Sequence, residues 1–152
     1  MLVIYIDADG CPVKEEVYKV AKRYQLPVKV VANHYINVPL NPLFEQVVVA
    51  SGLDEADNWI AERIEKDDIC ITADIPLADR CLKKQARALN VRGEVFSDDM
   101  IGHALAMREL MRELREMGQV SGGPAPFAAR DRSAFLSSLD RIIQAIKKEA
   151  QR

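Results

Sequence analysis

The sequence lacks the long apolar runs that mark membrane and secreted proteins. No apolar run reaches the roughly 18 to 20 residues that a membrane-spanning helix needs. The N-terminal residues 1–6 are apolar, but Asp7 and Asp9 follow at once, which is not the pattern of a signal peptide. We therefore expect a cytoplasmic protein with no membrane partner.

Cysteine and histidine are also scarce. The three cysteines, Cys11, Cys70 and Cys81, have no CxxC spacing, and an odd number cannot all pair. This pattern predicts reduced thiols and excludes a disulfide framework, a disulfide-linked partner and a structural zinc site. His34 and His103 are isolated and lack the spacing of metal ligands.

The charge balance gives only a weak signal. The net charge is −2, with −5 in residues 1–99 and +3 in residues 100–152. A mildly basic C-terminal third beside an acidic body would suit a phosphate backbone held over a metal site. The alternative is a set of ordinary solvated helix faces, which is what charge runs usually mean.

Short apolar runs alternate with helical patterns along a chain of 152 residues, which is long enough for one domain. The run 2–6 is continuously apolar, as in a central parallel strand covered on both faces. This order predicts an α/β fold with a mostly parallel central sheet flanked by helices, as a single domain in which residues 98–152 pack on the same core. The predicted strands are 2–6, 28–32, 47–49, 69–72 and a weaker 94–96, and the predicted helices are 13–24, 54–65, 76–88 and 98–117, with a last helix from Asp131.

The clearest candidate site residues are aspartates that end apolar strands. Asp7 ends the first strand, Asp9 follows it, and Asp74 comes just after the strand 69–72. In parallel sheets, ligands bind outside the carboxyl ends of the strands, so we expect these three side chains to act in catalysis. The alternative for Asp9 and Asp74 is helix capping, because a predicted helix follows each of them.

Two further aspartates lie at the start of the helix predicted over 54–65. Asp57 falls within an apolar stripe, where a carboxylate is rare unless it is paired or bound to metal. The local alternative is a variant capping box with Asp54 as the N-cap. Five carboxylates without thiolate or imidazole partners favour Mg²⁺ or Mn²⁺, so the candidate metal ligands are Asp7, Asp9, Asp54, Asp57 and Asp74.

Basic residues near the predicted site are candidates for nucleic-acid binding. Arg130 and Arg132 follow a loop with Gly122-Gly123-Pro124, and Lys14 lies at a helix start. Arginines beside flexible backbone suit phosphate, so we expect the loop to fold toward the carboxylate edge. The alternative is a surface linker whose arginines pair with nearby acids.

Several stretches together resemble the YaiI/YqxD family of bacterial proteins, over nearly the whole chain. They are Ile6-Asp7-Ala8-Asp9-Gly10-Cys11-Pro12, Ala56-Asp57-Asn58, Ile71-Thr72-Ala73-Asp74-Ile75-Pro76-Leu77-Ala78, Gly122-Gly123-Pro124 and Arg130-Asp131-Arg132. The resemblance implies a three-layer PIN-like fold, related more distantly to NYN domains, which are metal-dependent ribonucleases.

The resemblance also implies roles for individual positions. Asp7 resembles the aspartate ending the first PIN strand, and Asp9 resembles the acid two residues later in NYN domains. Asp54 resembles the acid of their middle helix, with Asp57 as the competing choice. Asp74 resembles their later strand-end aspartate, and the last PIN acid falls loosely at 98–99. NYN domains carry a second acid two residues after that strand-end aspartate, where this chain has proline.

Three functions remain open from the sequence. The first is a PIN-like nuclease that hydrolyses RNA at a carboxylate-bound Mg²⁺ or Mn²⁺. The second is a haloacid-dehalogenase-like phosphatase, with Asp7 as nucleophile, Asp9 as acid and base, and Asp74 with Asp79 as a later acidic motif. The third is a non-catalytic RNA-binding domain that keeps the PIN-like fold.

Overall fold

The computed structural model describes residues 2–52, 54–118 and 126–151, and within them strands and helices alternate as an α/β fold. The elements are β1 (Ile4–Asp7), α1 (Lys14–Tyr24), β2 (Val28–Ala32), β3 (Phe44–Val48), α2 (Glu55–Arg63), β4 (Ile69–Ile71), α3 (Ile75–Lys83), β5 (Arg87–Leu89), α4 (Asp98–Glu116) and α5 (Ala129–Ala150). The predicted fold class is confirmed.

The central sheet has the strand order β3-β2-β1-β4-β5, and its pairings are all parallel. From β1 the chain builds outward through β2 and β3, then returns to place β4 on the other side of β1. The prediction that the first strand neighbours the strand at 69–72 is confirmed, with Ile6 in register with Ile71. The direction of winding reverses between β1 and β4, so their carboxyl ends form the switch point where ligands bind in such sheets.

Side chains alternate across the sheet and build one core on each face. Ile4 and Ile6 point into a core shared with α1 and α5. Tyr5 and Cys70 point into the opposite core, with α2, α3 and the start of α4. Helices therefore cover both faces of the sheet, as in a three-layer PIN-like fold.

The last helix belongs to the first of these cores. The apolar face predicted for it is buried, with Phe135, Leu139 and Ile143 at 0% exposure. Each such side chain stabilises the fold by about 1.5 to 3 kcal/mol through removal of apolar surface from water. Helix α4 differs, because Ile101 is its one buried residue and the helix contacts α3.

The region 84–96 departs from the predicted pattern. A helix was expected to continue to residue 88, but α3 ends at Lys83 and Gln85 takes a left-handed φ of 65°. Arg87–Leu89 then forms β5, which lacks β-branched residues and was not predicted. The predicted strand 94–96 is reduced to one antiparallel bridge between Val95 and Leu89.

Two other boundaries needed correction. Strand β3 begins at Phe44, three residues before the predicted start, because it pairs with β2 from Val28 onward. Asp131 is not the N-cap of α5: that position is held by Ala128, whose N–H donates to Asp131 Oδ2 at 2.8 Å. Asp131 therefore satisfies the helix start from inside its first turn.

The structure also bears on membrane-spanning helices, on the cysteines and on the predicted Gly-Pro loop. No helix in the described ranges combines the length and hydrophobicity needed to cross a membrane. All three cysteines are free and buried. The loop predicted around Gly122-Gly123-Pro124 lies outside the described residues.

Candidate active site

The five predicted metal ligands line one cavity at the carboxyl end of the sheet. The cavity has a volume of about 240 Å³. Its lining comes from the ends of β1, β2 and β4 and from the start of α2, and consists of Asp7, Asp9, Asn33, Gly52, Asp54, Glu55, Ala56, Asp57 and Asp74. Segments far apart in sequence thus converge at the switch point between β1 and β4.

A side-chain hydrogen bond from β4's end holds Asp7 at the end of β1. The Thr72 hydroxyl donates to Asp7 Oδ2 at 2.7 Å. Burial raises the pKa of Asp7, the Thr72 bond lowers it, and the charges of Asp74 and Asp9 raise it further. The net effect is a raised pKa, because one hydroxyl does not compensate for loss of water and for two neighbouring anions.

Thr72 also positions Asp74, which makes it the link between the two strand ends. Its Oγ1 accepts the Asp74 backbone N–H at 2.9 Å, and Thr72 itself is 1% exposed. Asp74 caps α3, because its Oδ1 accepts the Leu77 N–H at 2.9 Å. The capping alternative for Asp74 is therefore confirmed, and the same side chain lines the cavity.

Asp57 is the most perturbed carboxyl of the cavity. Burial, together with the charges of Asp74 and Asp7, raises the pKa of Asp57 to about 7. The charge of Asp54 makes the smallest contribution to that rise in pKa. Three carboxylates from β1, β4 and α2 therefore lie close enough to resist ionising together.

Asp54 reaches the cavity through an uncommon backbone conformation. It occupies the N-cap position of α2 with φ 67° and ψ 9°, a left-handed conformation that costs a non-glycine residue free energy. Its side chain makes no capping hydrogen bond, so the capping-box alternative with Asp57 is wrong. Both helix carboxylates line the cavity, and Asp57 interacts more strongly with Asp7 and Asp74.

Asp9 lies at the rim and contacts His34. Asp9 Oδ1 is 3.2 Å from His34 Nδ1, and the Asp9 side chain is 44% exposed. The capping alternative for Asp9 is wrong, because Val13 holds the N-cap position of α1 without a side-chain bond. Sequence spacing gave no sign of this pair, since His34 and Asp9 meet only where β1 and β2 end side by side.

The cavity also has a neutral oxygen donor that the sequence analysis missed. Asn33 is the first residue after β2, so it occupies the same strand-end position that drew attention to Asp7 and Asp74. A polar residue directly after a third apolar strand was the available signal.

The predicted phosphate-binding cations have other contacts in the structure. Lys14 Nζ donates to the carbonyls of Ala8 and Cys11, at 3.2 and 2.9 Å, and so closes the loop after β1. Arg132 Nη1 lies 2.6 Å from the Pro12 carbonyl and 3.0 Å from Glu16 Oε1. The contacts of Arg132 join α5 to the start of α1.

Arg130 is exposed in the first turn of α5. Its predicted role in binding nucleic acid, like those of Lys14 and Arg132, stays a prediction.

The donor chemistry of the cavity suits a hard divalent cation, because its charged lining groups are carboxylates. Within the described residues, no group of three histidine, cysteine or acidic side chains is placed closely enough to hold a metal ion.

Comparison with known proteins supports the resemblance found in the sequence. Residues 5–145 match the model described as "Uncharacterized BCR, YaiI/YqxD family". A UPF0178 protein of Rhodopseudomonas palustris (strain TIE-1) is 57% identical over 143 residues, covering 94% of this chain and 90% of the relative.

Relatives from other bacteria match over a similar length. In Rhodospirillum rubrum, the UPF0178 protein Rru_A0086 is 57% identical over 146 residues, covering 95% of this chain and 97% of the relative. The UPF0178 protein bll3966 of Bradyrhizobium diazoefficiens is 50% identical over 145 residues, or 95% and 87% of the two chains. No solved structure matches this chain.

Proposed function

The chain belongs to the YaiI/YqxD family, and on that premise we propose that it is a metal-dependent ribonuclease acting at the carboxylate cavity. One observation carries the proposal: aspartates from the end of β1, the start of α2 and the N-cap of α3 line one cavity at the switch point of a parallel sheet. Building this arrangement is costly, because like charges that lie close together destabilise the fold unless something neutralises them. Such a cost points to a site for a charged ligand.

Asp7, Asp57 and Asp74 are the residues that would hold the cation, with Asp9 and Asp54 at the margin of the site. A carboxylate-bound Mg²⁺ or Mn²⁺ supplies a lowered pKa for bound water and stabilises the oxygens of a phosphodiester during hydrolysis.

The remaining side chains position these groups. Thr72 fixes the strand-end carboxylates relative to each other, because its hydroxyl donates to Asp7 and accepts the Asp74 N–H. Asp74 caps α3 through Oδ1, which accepts the Leu77 N–H, and its side chain also lies within hydrogen-bonding reach of Asp57. Asp9 is half-exposed at the rim beside His34, where a carboxylate can accept a proton from water.

A second candidate, a non-catalytic RNA-binding domain, draws on a different observation. No three described acidic, histidine or cysteine side chains are close enough to hold a metal ion. A domain of this kind binds RNA without needing a divalent cation. The two functions therefore differ in whether binding and cleavage respond to Mg²⁺ or Mn²⁺.

Cleavage of a labelled single-stranded RNA in Mn²⁺ and in EDTA tests the proposal. We expect Mn²⁺-dependent hydrolysis by the native protein and a loss of at least a hundredfold in Asp7→Asn and Asp74→Asn, because each removes a carboxylate from the site. Asp79→Asn is the matched control, since Asp79 lies on α3 and pairs with Lys83. RNA binding in EDTA without cleavage in Mn²⁺ would replace the nuclease with the binding domain.

The same variants distinguish the nuclease from the haloacid-dehalogenase-like phosphatase. That enzyme would hydrolyse a phosphomonoester such as p-nitrophenyl phosphate and would be trapped by beryllium fluoride on Asp7. It would also lose activity in Asp79→Asn, which the nuclease tolerates. Phosphomonoester turnover without RNA cleavage would overturn the proposal.

A further inference from the structure

A second cavity adjoins the carboxylate cavity and is lined in part by an arginine side chain. It has a volume of about 500 Å³, within the range of ligand pockets, and is lined by Asp54, Ala73, Asp74, Ile75, Pro76 and Arg108. The two cavities share Asp54 and Asp74. Among the described lining residues of both, Arg108 is the one with a positive charge.

Arg108 reaches this position because of how α4 packs. Ile101 is buried near the start of α4, and the helix contacts α3. Residues three and seven positions further along a helix lie on the same face, so Ala104 and Arg108 continue the face that begins with Ile101. The face thus runs from the core at Ile101 to the edge of the second cavity at Arg108.

The charge of Arg108 has no partner in the described part of the chain. No hydrogen bond or ion pair of Arg108 exists there. Arg112, one turn further on, differs, because it pairs with Glu109 and Glu116. An unpaired guanidinium at this cavity can bind an anion, because guanidinium matches the geometry of phosphate. The cation of the proposed function would offset the repulsion of that anion by Asp54 and Asp74.

We propose that the second cavity is a phosphate subsite, in which Arg108 binds the phosphate of single-stranded RNA next to the one at the carboxylates. This inference rests on the proposed function and names the part of the substrate that α4 holds. Arg108 acts in binding and contacts a neighbouring phosphate, so its loss affects affinity more than the rate of the chemical step.

The test measures binding of a fluorescein-labelled decauridylate to the full chain by anisotropy, with Ca²⁺ in place of Mg²⁺, across a salt series. Arg108→Ala should weaken binding on the order of tenfold, the usual effect of losing one charge-assisted contact. The slope of log affinity against log salt should fall by about 0.7, the value for one phosphate on a single strand. Arg108→Lys should lose less affinity than Arg108→Ala, because lysine keeps the positive charge but lacks the two parallel N–H donors of guanidinium.

Arg112→Ala is the matched control, an arginine on the same helix that lines neither cavity, and should stay within twofold of the native protein. Melting temperatures of the variants should match the native value, because Arg108 is exposed and without a described partner. If native protein binds and cleaves RNA while Arg108→Ala equals Arg112→Ala in affinity and salt slope, the subsite is wrong and the nuclease stands. If native protein neither binds nor cleaves RNA, both proposals fail together.

Discussion

Aspartates lie near both ends of β4: Asp68 directly precedes the strand, and the partly buried Asp57 of α2 lines the cavity at its carboxyl end. Their surroundings differ. Asp68, at the amino end, is 5% exposed and accepts the N–H groups of Val3 and Glu65, each at 2.9 Å. Burial raises the pKa of Asp68, and those two bonds lower it without cancelling the effect of burial. At the carboxyl end, burial together with the charges of Asp74 and Asp7 raises the pKa of Asp57 to about 7, and no backbone N–H of the described residues lowers it.

The difference separates a carboxylate that backbone N–H groups satisfy from the carboxylates that line the cavity. Asp68 is satisfied by the backbone, so it joins β1 to β4 and needs no ligand. Asp57 and Asp7 carry a free-energy cost that the described protein groups only partly compensate, which suits a site completed by a cation. Four predictions, from the largest expected effect to the smallest, test this contrast.

Asp68→Ala should have the largest effect on stability. It leaves the partly buried N–H groups of Val3 and Glu65 without their acceptors, which we expect to lower the free energy of unfolding by about 3 kcal/mol. Urea unfolding measures this, with the surface variant Asp79→Ala as the control, expected to change by at most about 0.5 kcal/mol. A loss below about 1 kcal/mol would mean that Asp68 is not the structural carboxylate described here.

Asp57→Asn should act in the opposite direction. The raised pKa, about 7, means that folded protein binds more protons than unfolded protein between about pH 4 and 7, so native stability falls as pH rises through that window. Without divalent cations, the variant should be more stable by roughly 1 to 2 kcal/mol at pH 8, allowing for screening by solvent. At pH 4 the gain should vanish, and a gain independent of pH would contradict the electrostatic cause.

Divalent cation should stabilise the native protein through the same carboxylates. At ten times its dissociation constant, Mg²⁺ or Mn²⁺ adds about 1.4 kcal/mol, which raises the melting temperature by a few degrees. Asp7→Asn should shrink this shift, while Asp79→Asn should keep it. If native protein shows no shift at millimolar concentrations of either cation, the contrast between the two ends of β4 has no functional meaning.

The smallest effect concerns the backbone of Asp54. Its left-handed conformation should relax on Asp54→Gly, with a gain of about 0.5 to 1 kcal/mol in thermal or urea unfolding. Gln85→Gly, at φ 65° between α3 and β5, is a control for the same backbone change outside the cavity. The two should match in stability, and Asp54→Gly alone should weaken binding of the cation.

The sequence alone was sufficient to predict the edge of the sheet at which the candidate site lies. Apolar runs ending in Asp7 and just before Asp74 predicted two neighbouring parallel strands, and the helical stripe predicted a carboxylate at Asp57 on a buried face. These signals are local, because strand burial and helix periodicity are encoded over a few residues.

The contacts that position the site depend on tertiary structure and could not be predicted in the same way. Thr72 bridges Asp7 and Asp74, and His34 meets Asp9, only once the strands are paired. Strand β5 is short and lacks β-branched residues, so its pairing with β4 overrides a local pattern that favoured helix. Arg108 lies 34 residues after Asp74 in the chain and reaches the second cavity only through the packing of α4.

We propose that a bound cation neutralises the carboxylates at the carboxyl end of the sheet. The pKa of Asp57 tests this proposal most directly. Carbon-detected NMR titration of the side-chain carboxyl, with and without saturating Mg²⁺, measures this value. We expect a pKa of about 7 without Mg²⁺ and a clear fall when Mg²⁺ is added, because the cation favours the ionised form. A pKa in the usual range of aspartate without Mg²⁺, or a raised value that Mg²⁺ leaves unchanged, would contradict the account.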